Sequence, residues 1–85
     1  MTRVFTVEDL ARILRVGAGE DGGVAEATLD TPFHELGLES LALLETSGLI
    51  GTEFGVDLDD SVLTEVRTPR ALIDIVNSHL AVAAN

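Results

Sequence analysis

The chain has 85 residues, with no cysteine and no lysine, and five arginines against fifteen carboxylates give a formal charge of −10. A chain of this length forms one domain with a thin core, burying roughly 60–65% of the surface that its unfolded form exposes. The composition excludes disulfides, thiolate metal sites and thiol nucleophiles, offers no signal-peptide pattern or run of about 18 apolar residues, and lacks the basic residues that grip nucleic acid or an anionic membrane.

In chain order, the first predicted element is an amphipathic helix. Thr6 is its N-cap, Glu8 and Asp9 suit the positive pole, and Val7, Leu10, Ile13 and Leu14 recur on one face. Arg12 and Arg15 complement the other pole, and Gly17 and Gly19 end the helix. A long connection then runs from Val16 to Leu38, with Gly17, Gly19, Gly22 and Gly23 in its first half. It is longer than most loops of compact domains. Val24, Leu29, Phe33 and Leu36 offer apolar anchors, so the expectation is a mobile first half and a docked second half. A P-loop is impossible without lysine.

The second predicted helix runs from Ser40 to about Phe54. Leu43, Ile50 and Phe54 share a narrow arc at 100° per residue, with Thr46 and Ser47 beside them, and form its core face. Leu41, Glu45 and Leu49 point the other way, with Leu44 between. Gly48 and Gly51 each cost about 1 kcal/mol against Ala inside a helix. The two glycines therefore imply close packing, or room left for a bound chain, and the first is favoured. Ser40 has two readings at this stage. Its hydroxyl can cap the helix, or it can be an exposed group held where a phosphate is favoured, because a helix N-terminus attracts negative charge.

After Gly55, Val56 to Asp60 reads as a turn into a short helix capped by Asp59 or Asp60, with Leu58, Val62, Leu63 and Val66 supplying apolar contacts. The last helix has Thr68 as N-cap and Pro69 at its first position. Leu72, Ile75, Val76 and Leu80 line one side, and Ala81 to Asn85 are expected to fray. Asp57, Asp59 and Asp60 do not make an EF-hand, since Val62 stands where Gly is needed and Thr68 where Glu should close the loop. His34 is expected to be exposed in the loop and His79 near the apolar face of the last helix. Neither has the spacing of a metal or catalytic pair. The expected fold is all-α: a small four-helix bundle of three longer helices plus one short helix, with a long first loop. One domain spans residues 1–85, ordered over about 5–81.

Phe33-His34-Glu35-Leu36-Gly37-Leu38-Glu39-Ser40-Leu41 resembles the attachment motif of carrier proteins, Phe-x-x-Leu-Gly-x-Asp-Ser-Leu. Together with Leu41 to Thr46 and Thr68-Pro69-Arg70-Ala71-Leu72, it looks most like acyl carrier proteins of bacterial type II aromatic polyketide synthases. The likeness runs from about Phe33 to Leu80, with a weaker echo in the first helix.

The resemblance implies that Ser40 takes a covalent 4′-phosphopantetheine arm from coenzyme A, within a motif that includes Gly37, Leu38, Glu39 and Leu41. The thiol of the arm would carry malonyl units and a growing polyketide as thioesters, and the chain itself would not be an enzyme. It further implies, as partners, a phosphopantetheinyl transferase, a ketosynthase/chain-length-factor pair, a malonyl transferase, and a ketoreductase or cyclase. No Lys or Arg occurs among the twelve acids between Val16 and Val66, so a belt of acids around Ser40 can steer basic partners. Glu39, Leu41, Leu44, Glu45 and Glu53 are the expected contacts. The protein is expected to be a cytoplasmic monomer.

One departure from the motif stands beside the serine, where Glu39 replaces the usual Asp; arm transfer is expected still to occur, more slowly. A fatty-acid carrier, a peptidyl carrier and an unmodified acidic docking module, in which Ser40 is only a cap, are the alternatives.

Overall fold

The computed structural model describes residues 3–83, without the side chains of residues 60, 82 and 83. Four helices follow one another: α1 Val7–Gly17, α2 Ser40–Phe54, α3 Asp60–Glu65 and α4 Pro69–Ala83. Two short 3₁₀ turns, Glu26–Thr28 and Phe33–Leu36, interrupt the connection between α1 and α2. There is no strand among the described residues, and no helix among them is long and apolar enough to cross a membrane. The all-α bundle of three longer helices and one short one is the architecture the sequence predicts.

The helix starts follow from local chemistry. The Thr6 hydroxyl accepts from the Asp9 N–H at 3.2 Å while the Asp9 carboxylate accepts from the Thr6 N–H at 3.1 Å, a reciprocal capping box at α1. At α4 the Thr68 hydroxyl accepts from the Ala71 N–H at 3.2 Å, and Pro69 occupies the first helical position. Asp59 is the N-cap residue of α3, but its side chain makes no capping hydrogen bond. α4 continues through Ala83, past the Ala81 at which fraying was expected to begin; Ala84 and Asn85 lie outside the described residues.

α1 packs against both α2 and α4, and α3 packs against α2. Leu10 and Leu14 of α1, Ile50 and Phe54 of α2, and Leu72, Val76 and Leu80 of α4 meet in one core, joined by Phe5 ahead of α1 and by Val24, Phe33 and Leu38 from the connection between α1 and α2. Burying each such side chain contributes roughly 1.5–3 kcal/mol, so the face shared by three helices decides folding. Thr46 and Ser47 of α2 are buried and Leu43 is half-buried at the margin of the core.

The N-terminal segment is held from two sides. The Phe5 ring meets Phe54 edge-on at 4.9 Å and 85°. The Asn77 carboxamide accepts from the Phe5 N–H at 2.7 Å and donates to its carbonyl at 3.0 Å, so α4 supplies both partners that an isolated extended residue lacks. Arg3 lies 3.9 Å from the centre of the Phe54 ring and donates to the Glu53 carbonyl at 2.9 Å.

The two glycines of α2 differ. A Cβ at Gly51 would sit 2.8 Å from the Val56 carbonyl oxygen, so here a backbone does pack closely, from the turn after the helix. Gly48 faces open space, and close packing does not account for it. The tight approach of α1 to α2 falls instead at Gly17, where a Cβ would meet Leu49 Cδ1 at 2.9 Å.

Candidate functional site

The site is assembled by the second half of the long connection. Phe33 is buried, and its N–H donates to the Arg67 carbonyl at 2.8 Å, which ties the second 3₁₀ turn to the segment between α3 and α4. The nearby Arg70 N–H donates to the Leu29 carbonyl at 2.9 Å, and its guanidinium pairs with Asp30 at 2.7 Å. These ties dock the loop as the apolar anchors predict.

The turn then ends at Gly37, whose φ of 78° and ψ of 15° lie in the left-handed region that glycine adopts without a Cβ penalty. Its N–H donates to the His34 carbonyl at 3.2 Å. Leu38 follows and is buried, with its N–H donating to the Phe33 carbonyl at 3.0 Å. Gly37 and Leu38 of the motif are therefore structural: one reverses the chain and the other wedges it into the core.

Glu39 is the N-cap residue of α2, in extended conformation at φ −96° and ψ 174°, and its carbonyl accepts from the Leu43 N–H at 3.0 Å. Its carboxylate makes no capping hydrogen bond. Ser40 is thus the first residue inside the helix. This corrects the reading of Ser40 as the cap by one position: Glu39 takes the half-in place, and among the described residues the Ser40 hydroxyl has no hydrogen-bond partner. The side chain is exposed at the end of the helix where N–H groups are unpaired and negative charge is favoured.

Ser40 borders a groove of about 670 Å³ between α2 and α3, lined by Phe33, Leu38, Leu43, Leu63 and Val66, with His34, Glu39, Leu41, Thr64 and Arg67 completing it. A shallower hollow of about 350 Å³ on the other side is lined by Gly17, Gly37, Glu39, Leu41 and Glu45. Leu41 is 69% exposed and Leu44 45% exposed, and Glu39 and Glu45 are exposed beside them. Leu44 faces a third hollow with Gly48, Gly51 and Leu58, so the open space at Gly48 lies between α2 and the turn that follows it.

Glu53 stands apart from this group. It lies about 20 Å along α2 from Ser40 at 1.5 Å per residue, and Arg12 of α1 holds both its carboxylate oxygens at 3.0 and 2.6 Å. The hydrogen bond from Arg12 keeps its carboxyl below the usual range. His34 is exposed, and His79 is half-buried on α4. Sequence reasoning missed Thr64 and Arg67 as groove residues, because nothing local marks a side chain that lines a surface formed by distant segments.

The residues fit a phosphopantetheine: a primary hydroxyl, exposed and without a hydrogen-bond partner among the described residues, at the positive end of a helix beside a groove. A family model described as a phosphopantetheine attachment site matches residues 6–76. The chain is 55% identical to a monensin polyketide synthase acyl carrier protein of Streptomyces virginiae, over 95% of this chain and 93% of that one. It is 41% identical to the actinorhodin polyketide synthase acyl carrier protein of Streptomyces coelicolor, over 99% and 100% of the two chains. The solution structure of the acetyl actinorhodin acyl carrier protein superimposes with a TM-score of 0.85 at 40% identity, covering 98% of this chain and 99% of that one. Proteins of this family are carriers rather than catalysts, and their domain bears a covalently attached 4′-phosphopantetheine. The chain therefore belongs to the phosphopantetheine-attachment family, as an acyl carrier protein of the type II polyketide synthase kind.

Proposed function

We propose that Ser40 is the attachment point of the arm, and that the whole chain works as one cytoplasmic carrier domain, as a monomer. The observation that carries this reading is the exposed Ser40 hydroxyl, without a hydrogen-bond partner among the described residues and presented at the start of α2 by the Gly37 turn. In loading, Ser40 Oγ forms a bond to the pantetheine-side phosphorus of coenzyme A, the pyrophosphate link breaks, and 3′,5′-ADP leaves. The hydroxyl proton passes to a base on the transferase. When attached, the group supplies a thiol that carries malonyl units and the growing polyketide as thioesters. The chain's own residues fix the hydroxyl in space and offer a docking face.

That face is Glu39, Leu41, Leu44 and Glu45. Two half- to well-exposed leucines beside carboxylates suit brief complexes, in which charge steers and a small apolar contact aligns. The partners are the phosphopantetheinyl transferase, the ketosynthase/chain-length-factor pair, the malonyl transferase, and a ketoreductase or cyclase. Glu53 takes part less, because Arg12 already neutralises much of its charge.

The test is intact mass after incubation with coenzyme A and a promiscuous transferase. The natural chain gains one phosphopantetheine and Ser40→Ala gains none. A natural chain that never gains mass refutes the assignment. Ketosynthase binding should weaken as salt rises, since exposed pairs are screened over about 8 Å at 0.15 M. Binding indifferent to salt would mean that apolar docking dominates.

A further inference from the structure

The groove beside Ser40 holds a cation that the fold does not use. Arg12, Arg15 and Arg70 pair with Glu53, Asp21 and Asp30, and Arg3 lies over the Phe54 ring. Among the described residues the Arg67 side chain makes no ion pair and no hydrogen bond, although it is exposed and acids outnumber cations threefold in this chain. It lines the same groove as Ser40. Its backbone is fixed there: its carbonyl accepts from the Phe33 N–H at 2.8 Å, and Val66 before it and Pro69 two residues after it are both buried. The turn that delivers Ser40 and the residue that presents this guanidinium are therefore held together directly. The remaining full charge lining the groove is the negative Glu39.

We infer that Arg67 pairs with the phosphodiester on Ser40 and holds the first part of the arm along the wall formed by Leu63 and Thr64. The inference rests on the carrier reading of Ser40 and adds to it a residue that governs where the arm lies. A phosphodiester keeps one negative charge at all physiological pH values, and a guanidinium meets two of its oxygens with parallel N–H donors. The pair is solvent-exposed, so it biases the arm toward the groove by no more than about fivefold. A bias of that size keeps the thiol near the protein between encounters and yields when a partner draws the arm away.

The test uses the full chain labelled with ¹⁵N-arginine, before and after loading, with mass confirming one added group. The Arg67 Nε resonance should move on loading, while those of Arg12 and Arg15 should not. The ³¹P resonance of the loaded natural chain should differ from that of loaded Arg67→Gln and approach it in about 1 M NaCl, where the screening length is about 3 Å. Arg67→Lys should retain part of the difference. Unloaded Arg67→Gln should melt with the natural chain, which separates the effect from folding. An Arg67 signal unchanged in a chain of the loaded mass overturns the inference and leaves the carrier reading intact. So does a signal that moves only once a malonyl group is added, since the pair would then be with the cargo carboxylate. A chain that gains no mass overturns the carrier reading itself, and this inference with it.

Discussion

Gly48 and Gly51 stand three residues apart in α2, and alanine at the two positions should act with opposite sign. Both lie inside the helix, where Gly is about 1 kcal/mol less favourable than Ala. A Cβ at Gly48 meets nothing within 4 Å, so Gly48→Ala should realise that gain in full. For a domain of this size about 1 kcal/mol raises the melting temperature by about 4–8 °C.

At Gly51 the new Cβ would lie 2.8 Å from the Val56 carbonyl oxygen, which must retreat to reach ordinary contact at 3.4 Å or more. Val56 is itself buried, so moving its carbonyl withdraws a core side chain. Overpacking of this kind costs typically about 1–3 kcal/mol. After the gain in helix propensity, Gly51→Ala should be about 1 kcal/mol less stable than the natural chain, and about 2 kcal/mol less stable than Gly48→Ala. Urea unfolding followed by far-UV circular dichroism measures both. Equal unfolding free energies for the two variants, within about 0.5 kcal/mol, would show that Val56 yields freely and that the argument from close approach is wrong.

Glu39→Asp should both stabilise the chain and speed its loading. The longer side chain makes no bond at the N-cap, whereas Asp reaches the free N–H groups of the first turn and is worth about 0.5–1 kcal/mol there. Melting and a transferase time course test the two halves separately, and a less stable variant would mean that Glu39 caps after all. Asn77→Ala should lower stability by about 2–3 kcal/mol, because it strands both the N–H and the carbonyl of buried Phe5; a loss under about 0.5 kcal/mol in urea titration would indicate that water takes over both bonds.

The pH profile follows from the ion pairs. The bond from Arg12 holds Glu53 low, that from Arg70 holds Asp30 low, and the Gly23 N–H followed by Arg15 holds Asp21 low. A carboxyl depressed in the folded state stabilises it above the ordinary pKa near 4 and loses that contribution as pH falls through the folded value. Melting temperature should therefore drop below about pH 4, and Arg12→Gln should flatten part of that drop. An identical slope in Arg12→Gln would exclude the Glu53 pair as a cause.

The elements most legible in the sequence are those whose cause is local. Thr6 with Asp9, and Thr68 with Pro69, announce α1 and α4 because capping acts over three or four residues. The core arc of α2 follows from helical spacing, and Thr46, Ser47, Ile50 and Phe54 are buried accordingly. The two 3₁₀ turns were not foreseen, since segments of three or four residues carry no period to detect. The bounds of α2, Ser40 to Phe54, are those that the spacing predicts, and of the two readings of the Ser40 hydroxyl only the cap fails, because Glu39 takes that position and only backbone angles separate the two residues. The hold of Arg12 on Glu53 joins residues 41 positions apart, and the grip of Asn77 on Phe5 spans 72. Such ties depend on how α1 and α4 pack, which no local pattern encodes. The motif around Ser40 was legible as chemistry, and the groove and Arg67 were not, for the same reason.

A group that supports none of its neighbours can be altered without consequence for them. Because Glu39 takes the cap position and the Ser40 oxygen has no partner among the described residues, esterifying that oxygen breaks none of the bonds they make. Derivatised forms should melt no lower than the bare chain, and higher by whatever the phosphate gains at the helix start and from Arg67. The polypeptide can then mature before it is derivatised, and be stripped and derivatised again, without passing through an unfolded stage.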